Sequence, residues 1–132
     1  MAPMGTWKID AKRKPGVLWM VLEGNFTTDE MSAFVADHNV AVDACGDKDY
    51  RVFVDVRKLN PLPPEVTAVM EQCKRYSSQH ANFRGSAVLA TSATVAMQHR
   101  RTSMSGGVMD TELITEDEAA AWKHLESLRR KV

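Results

Sequence analysis

Tyr50-Arg51-Val52-Phe53-Val54-Asp55-Val56, followed two residues later by Leu59-Asn60-Pro61-Leu62-Pro63-Pro64, is the stretch on which the fold turns. Aromatic and β-branched residues crowd positions 50–56, which suits a strand in the middle of a sheet. The prolines after it stiffen a loop. The last of them, Pro64, fits the first turn of a helix, where a missing amide hydrogen costs nothing. That helix carries Val66, Val69, Met70 and Cys73 on one face. A strand, a stiff loop and an amphipathic helix in succession form the repeating unit of an α/β domain.

Towards the N-terminus, Thr6–Lys12 alternates Trp7 and Ile9 with polar neighbours, Pro15-Gly16 marks a turn, and Val17–Leu22 is apolar on both faces. This is a hairpin whose second strand is interior. Gly24-Asn25 breaks that strand, and Thr27-Thr28-Asp29-Glu30 forms a capping box in which Thr27 and Glu30 each satisfy an amide left over at a helix start. Met31, Phe34, Val35, His38 and Val42 follow at helical spacing, until Cys45-Gly46 places a glycine for a left-handed stop.

Towards the C-terminus, Arg84-Gly85 introduces a strand of small residues, 86–91, and Ser92 caps a short third helix expected to reach about Arg101. Ser103–Gly107 reads as the most mobile segment, with Ser105-Gly106-Gly107 as a hinge. Glu112–Ile114 is short enough for an edge strand, and Thr115-Glu116-Asp117-Glu118 reads as a second capping box. The last helix buries Ala121, Trp122, Leu125 and Leu128, and Trp7, Trp19 and Trp122 all fall at inward positions. The expectation is one α/β domain over residues 1–132, with a mixed, mostly parallel sheet of about five strands, an N-terminal hairpin and about four helices. Right-handed crossovers then add a helical layer.

Bulk properties narrow the function. A chain of 132 residues is long enough for a full core. Seventeen basic residues balance seventeen acidic ones, which argues against nucleic acid as a partner because no net field draws a polyanion. The start of the chain lacks a leader pattern and no stretch approaches the ~20 apolar residues of a membrane span, so the cytosol is the expected location. The two cysteines, Cys45 and Cys73, form neither a CxxC pair nor a disulfide framework and read as reduced, buried small hydrophobes.

No catalytic or metal signature stands out. His38, His80, His99 and His124 are scattered through helices without HExxH or partner cysteines at metal spacing, so no metal and no cofactor is implied. His38 lies on an apolar stripe and reads as a hydrogen-bonded core residue, while His99-Arg100-Arg101 reads as the exposed top of a helix. No serine sits in a GxSxG elbow, and Cys73 lies where a thiol is inert packing. Ser105-Gly106-Gly107 lacks the lysine of a phosphate loop. Eight methionines are many for this length. Met97, Met104 and Met109, with Met70 on the neighbouring helix, are candidates to line an apolar ligand pocket, and core filling is the competing reading.

The strand ending in Asp55, the helix-opening loop after it, and the terminal Thr115-Glu116-Asp117-Glu118-Ala119-Ala120-Ala121-Trp122 helix resemble the STAS domain, the family of sulfate transporters and anti-sigma-factor antagonists. The resemblance spans nearly the whole chain and lies in element order and hydrophobic pattern. In regulatory members, the corresponding loop ends in an aspartate–serine–glycine signature whose serine opens the next helix and is phosphorylated by a partner kinase. Here the aspartate matches as Asp55, but Pro63, Pro64 or Glu65 stands at the serine, and the next hydroxyl, Thr67, lies inside the helix. The resemblance therefore implies a regulatory protein-interaction module without the phospho-switch. Its surface would comprise Asp55, Leu59, Asn60, Leu62, Pro63, Pro64, Thr67, Thr91 and Ser92, at the carboxyl ends of the strands, where ligands of parallel α/β sheets bind.

Two other readings compete. A carrier of a small apolar or lipid-like ligand would use the methionines and needs a cavity of roughly 300 Å³. An enzyme would need a perturbed His, Cys or carboxylate converging with a second polar group in one cleft. A protein partner is expected, and the edge strand Glu112–Ile114 or an apolar helix face makes a homodimer conceivable.

Overall fold

The computed structural model describes residues 4–128. Its elements run β1 (Thr6–Lys14), β2 (Val17–Glu23), α1 (Thr28–Ala44), β3 (Tyr50–Asp55), α2 (Pro64–Ser78), β4 (Phe83–Leu89), α3 (Ala93–Gly106), a 3₁₀ turn (Met109–Thr111), β5 (Glu112–Thr115) and α4 (Glu118–Ser127). The sheet has the spatial order β1-β2-β3-β4-β5. The β1–β2 hairpin is antiparallel and every later pair is parallel, as the chain of strands and crossover helices implied.

Because successive strands march in one direction across the sheet and crossovers share one hand, the three crossover helices fall on one face. Alternation along the strands divides the core accordingly. Leu18, Met20, Leu22, Val52, Val54 and Val88 pack beneath α1, α2 and α3. Val17, Phe53, Ala87 and Leu89 face the other way, against Ala121 and Leu125 of α4. There the rings of Phe53 and Trp122 stack with centroids 4.4 Å apart. The helices thus cover both faces, three to one. Trp7, Trp19 and Trp122 pack at the margins of these clusters and stay half-buried.

Local signals explain most element ends. Thr27 and Glu30 form the expected capping box. Pro63 is the N-cap of α2 and Pro64 its first residue. Two expectations need correction. Helix α3 does not stop near Arg101 but continues to Gly106, with Gly107 closing it in the left-handed region at φ 83°. Ser103 and Gly106 are buried, so Ser103–Gly107 is a packed helix end and not a hinge. Helix α4 is capped by Asp117, which accepts from the Ala119 amide, and not by the expected box opening at Thr115, which lies two residues earlier and accepts from the Asp117 amide.

Candidate functional site

Parallel pairing puts the carboxyl ends of β2, β3, β4 and β5 at one edge of the sheet, where the turn at 24–27, the loop 56–63, the turn 90–92 and the 116–117 turn gather. The loop 56–63 is clamped from two sides. Gly24 donates its amide to the Lys58 carbonyl at 2.9 Å, and the Asn60 amide donates to the Gly24 carbonyl at 3.0 Å. The Asn60 side chain donates to Asn25 Oδ1 at 3.0 Å. On the other side Gln98 of α3 reads the backbone of Leu62 twice, accepting from its amide at 2.9 Å and donating to its carbonyl at 2.8 Å.

This geometry redistributes the residues expected at the surface. Leu59 and Leu62, only 4% and 5% exposed, are anchors of the core rather than contact residues, because an apolar side chain next to the clamp gains more from burial than from solvent. Asn60, Pro61, Pro63, Pro64 and Thr91 are exposed. Ser92 is half-buried and committed to capping α3 through the Val95 amide. Thr67 is half-buried and donates its hydroxyl to the Pro64 carbonyl at 2.7 Å.

Asp55 is held by Arg57, whose guanidinium lies 2.8 Å from it and whose amide donates to it at 3.0 Å. Partial burial pushes the Asp55 carboxyl up, but the bonds from Arg57 more than offset this and leave it below the usual carboxylate range. Arg57 also reaches to 3.9 Å from Glu118 at the start of α4. Neither Arg57 nor Gln98 was singled out by sequence. Their roles depend on which loops meet at the edge, and no local pattern encodes that.

The methionines do not converge. Met70 is buried in the core, whereas Met97 and Met104 are 58% and 60% exposed on α3 and Met109 lies exposed beyond it. The cavity between the helical layer and the sheet, lined by Met70 among others, has a volume of about 40 Å³. That is far below the roughly 300 Å³ a drug-sized ligand needs, so the carrier reading loses its pocket.

A cluster that the sequence did not announce lies beside that cavity. Lys74 of α2 is buried, with Nζ 2.9 Å from the His99 carbonyl, 2.5 Å from Ser103 Oγ, 3.2 Å from His99 Nδ1 and 3.5 Å from Glu112 Oε1. Ser86 and Ser103 both donate to the Glu112 carboxylate, Ser86 at 2.9 Å. His99 is therefore a core residue and not the exposed helix top expected from His99-Arg100-Arg101; only the two arginines are exposed. Burial and the nearby Lys74 charge hold His99 well below the ordinary histidine range. Burial also lowers Lys74, against the pull of Glu112. A second polar contact lies on the same helix face, where Tyr50 donates to Ser77 at 3.1 Å and Ser77 meets His38 Nε2 at 3.4 Å. His38 is the hydrogen-bonded core histidine that its position implied. Cys73 is buried and its thiol is pushed up to about 12 by desolvation, so it stays protonated and unreactive. Among the described residues no group of three or more His, Cys, Asp or Glu is arranged to hold a metal ion. No described helix is long and apolar enough to cross a membrane.

No protein-family model matches the chain. None of the curated proteins matches it either. Among solved structures, the crystal structure of an anti-sigma factor antagonist from Mycobacterium paratuberculosis superposes with a TM-score of 0.63 at 13% identity, covering 93% of this chain and 95% of that one. With an antiparallel hairpin, a parallel remainder and four helices among the described residues, the chain has the STAS-like α/β fold of that antagonist.

Proposed function

We propose that the protein is a non-enzymatic regulatory module that binds a protein partner through the carboxyl-end surface formed by Asn60–Pro64, the start of α2 and Thr91–Thr94. The observation that carries this reading is the two-sided clamp on the loop 56–63. A proline-rich segment held by Asn25 and Gln98 presents exposed Asn60, Pro61, Pro63 and Pro64 in one conformation, so little entropy is lost when a partner docks. The similarly folded protein is by its description an antagonist of an anti-sigma factor, a role exercised on another protein.

The same surface, on this reading, works without a phospho-switch. Helix α2 starts at Pro64 behind an N-cap, Pro63, that makes no side-chain cap bond, and the nearest downstream hydroxyl, Thr67, is tied to the Pro64 carbonyl. The test is affinity purification followed by titration calorimetry with the purified partner. A triple Asn60→Ala, Pro61→Ala, Pro63→Ala variant is expected to lose at least tenfold in affinity, and unchanged affinity would refute the surface. Intact mass of the cellular protein checks the second part, since a phosphate on Thr67 would refute switch-free regulation.

A further inference from the structure

We propose that the cavity beside Lys74 is a binding site for a small oxygen acceptor, held by the Nε2–H of His99. The directions of the surrounding hydrogen bonds fix the proton on that ring. Ser86 and Ser103 both donate to Glu112, which lies 3.5 Å from Lys74 Nζ. Lys74 Nζ pairs with Glu112 as an ammonium and shares its three hydrogens among four neighbours, the His99 carbonyl, Ser103 Oγ, Glu112 Oε1 at 3.5 Å and His99 Nδ1, so one hydrogen is bifurcated. An ammonium has no lone pair, so His99 Nδ1, 3.2 Å from it, accepts. A buried imidazolium beside that ammonium would face a like charge, so the ring is neutral and its single hydrogen sits on Nε2.

That Nε2 is buried and has no partner among the described residues. Native interiors rarely keep such a donor unmatched. His99 lines the cavity of about 40 Å³, and one water needs about 10–15 Å³ of such space. The site therefore accepts one to three waters, or an organic molecule of a few atoms that presents a hydroxyl or carbonyl oxygen to His99. Ser86 and Ser77 supply further polar lining, and Phe34, Met70 and Val88 supply the apolar wall.

The test is a crystal structure of the full chain at about 1.5 Å resolution, or finer, from crystals grown without organic additives. A density peak within 2.7–3.2 Å of Nε2 is expected. A spherical peak that a 2-propanol soak displaces identifies water. An elongated one, matched by added mass in native mass spectrometry, identifies an organic ligand; both support the site. No feature within 3.5 Å of Nε2 would overturn it. Independently of any variant, a long-range proton–nitrogen spectrum at neutral pH is expected to show His99 as the Nε2–H tautomer, and the opposite tautomer would overturn the assignment. His99→Gln, which keeps a donor, is expected to retain the density peak, and His99→Phe to lose it; retention in His99→Phe would also overturn the proposal.

Discussion

Gly106 of α3 lies hard against α2. A Cβ built on it would stand 2.8 Å from the Lys74 Cβ and 3.4 Å from the Arg75 amide nitrogen. Replacing a helical glycine by alanine ordinarily adds roughly 1 kcal/mol of helix stability. Here the methyl meets another helix's Cβ, and overpacking of this kind costs about 1–3 kcal/mol. Gly106→Ala is expected to lower the thermal midpoint, measured by circular dichroism, where an unhindered site would raise it. The buried histidines set a second expectation at this scale. His38 and His99 are both held below the ordinary value of 6.5, chiefly by desolvation. The unfolded chain therefore binds more protons than the fold as pH drops below 6.5, and the stability these neutral rings contribute is lost in that direction. Unfolding free energies from urea titrations are expected to fall from pH 7 to pH 5, by up to about 1.4 kcal/mol per histidine per pH unit below 6.5.

At the scale of elements, the buried face of α2 carries two polar residues, Lys74 and Ser77, among the apolar Val66, Met70 and Cys73. Lys74 joins it to α3, β4 and β5 through His99, Ser103, Ser86 and Glu112, and Ser77 joins it to α1 and β3 through His38 and Tyr50. Removing one member of a buried charge pair leaves the other uncompensated, at a cost of about 3–5 kcal/mol. Lys74→Met is expected to show that loss in chemical denaturation. Lys74→Met combined with Glu112→Leu is expected to recover most of it, because no buried charge then remains. The elements themselves were legible because their signals are local: the capping box at Thr27, the glycine after Cys45 and the proline opening α2 each act within one turn. The cluster was not, since positions 74, 86, 99, 103 and 112 meet only after the sheet is assembled. The misreading of Ser103–Gly107 has the same origin. Small residues look loose in sequence, yet here they are small because another helix packs against them.

Across the whole molecule, the candidate binding edge is separated from the parts that carry stability. The exposed faces of Asn60, Pro61, Pro63 and Thr91 add little to the core, while Leu59 and Leu62 beneath them are sealed in it. Substituting Pro61 and Pro63 together by glycine is expected to lower unfolding free energy by about 1–2 kcal/mol, through the freer unfolded chain and not through lost core contacts. Partner affinity should fall nonetheless, because the loop must then be ordered on binding. Parallel measurements of denaturation and of calorimetric binding would separate the two effects. The resemblance read in the sequence pointed to this edge through Asp55 and the prolines. It overlooked Arg57 and Gln98, which join neighbouring loops across space.

The uneven exposure of the methionines also sorts them by chemistry. Met4, Met97, Met104 and Met109 offer their thioethers to solvent, whereas Met20, Met31 and Met70 are enclosed. Dilute peroxide would convert the first group to sulfoxides and spare the second for as long as the chain stays folded. Oxidative stress would thereby turn the outer stripe of α3 from apolar to polar without disturbing the interior, and methionine sulfoxide reductases would be able to restore it.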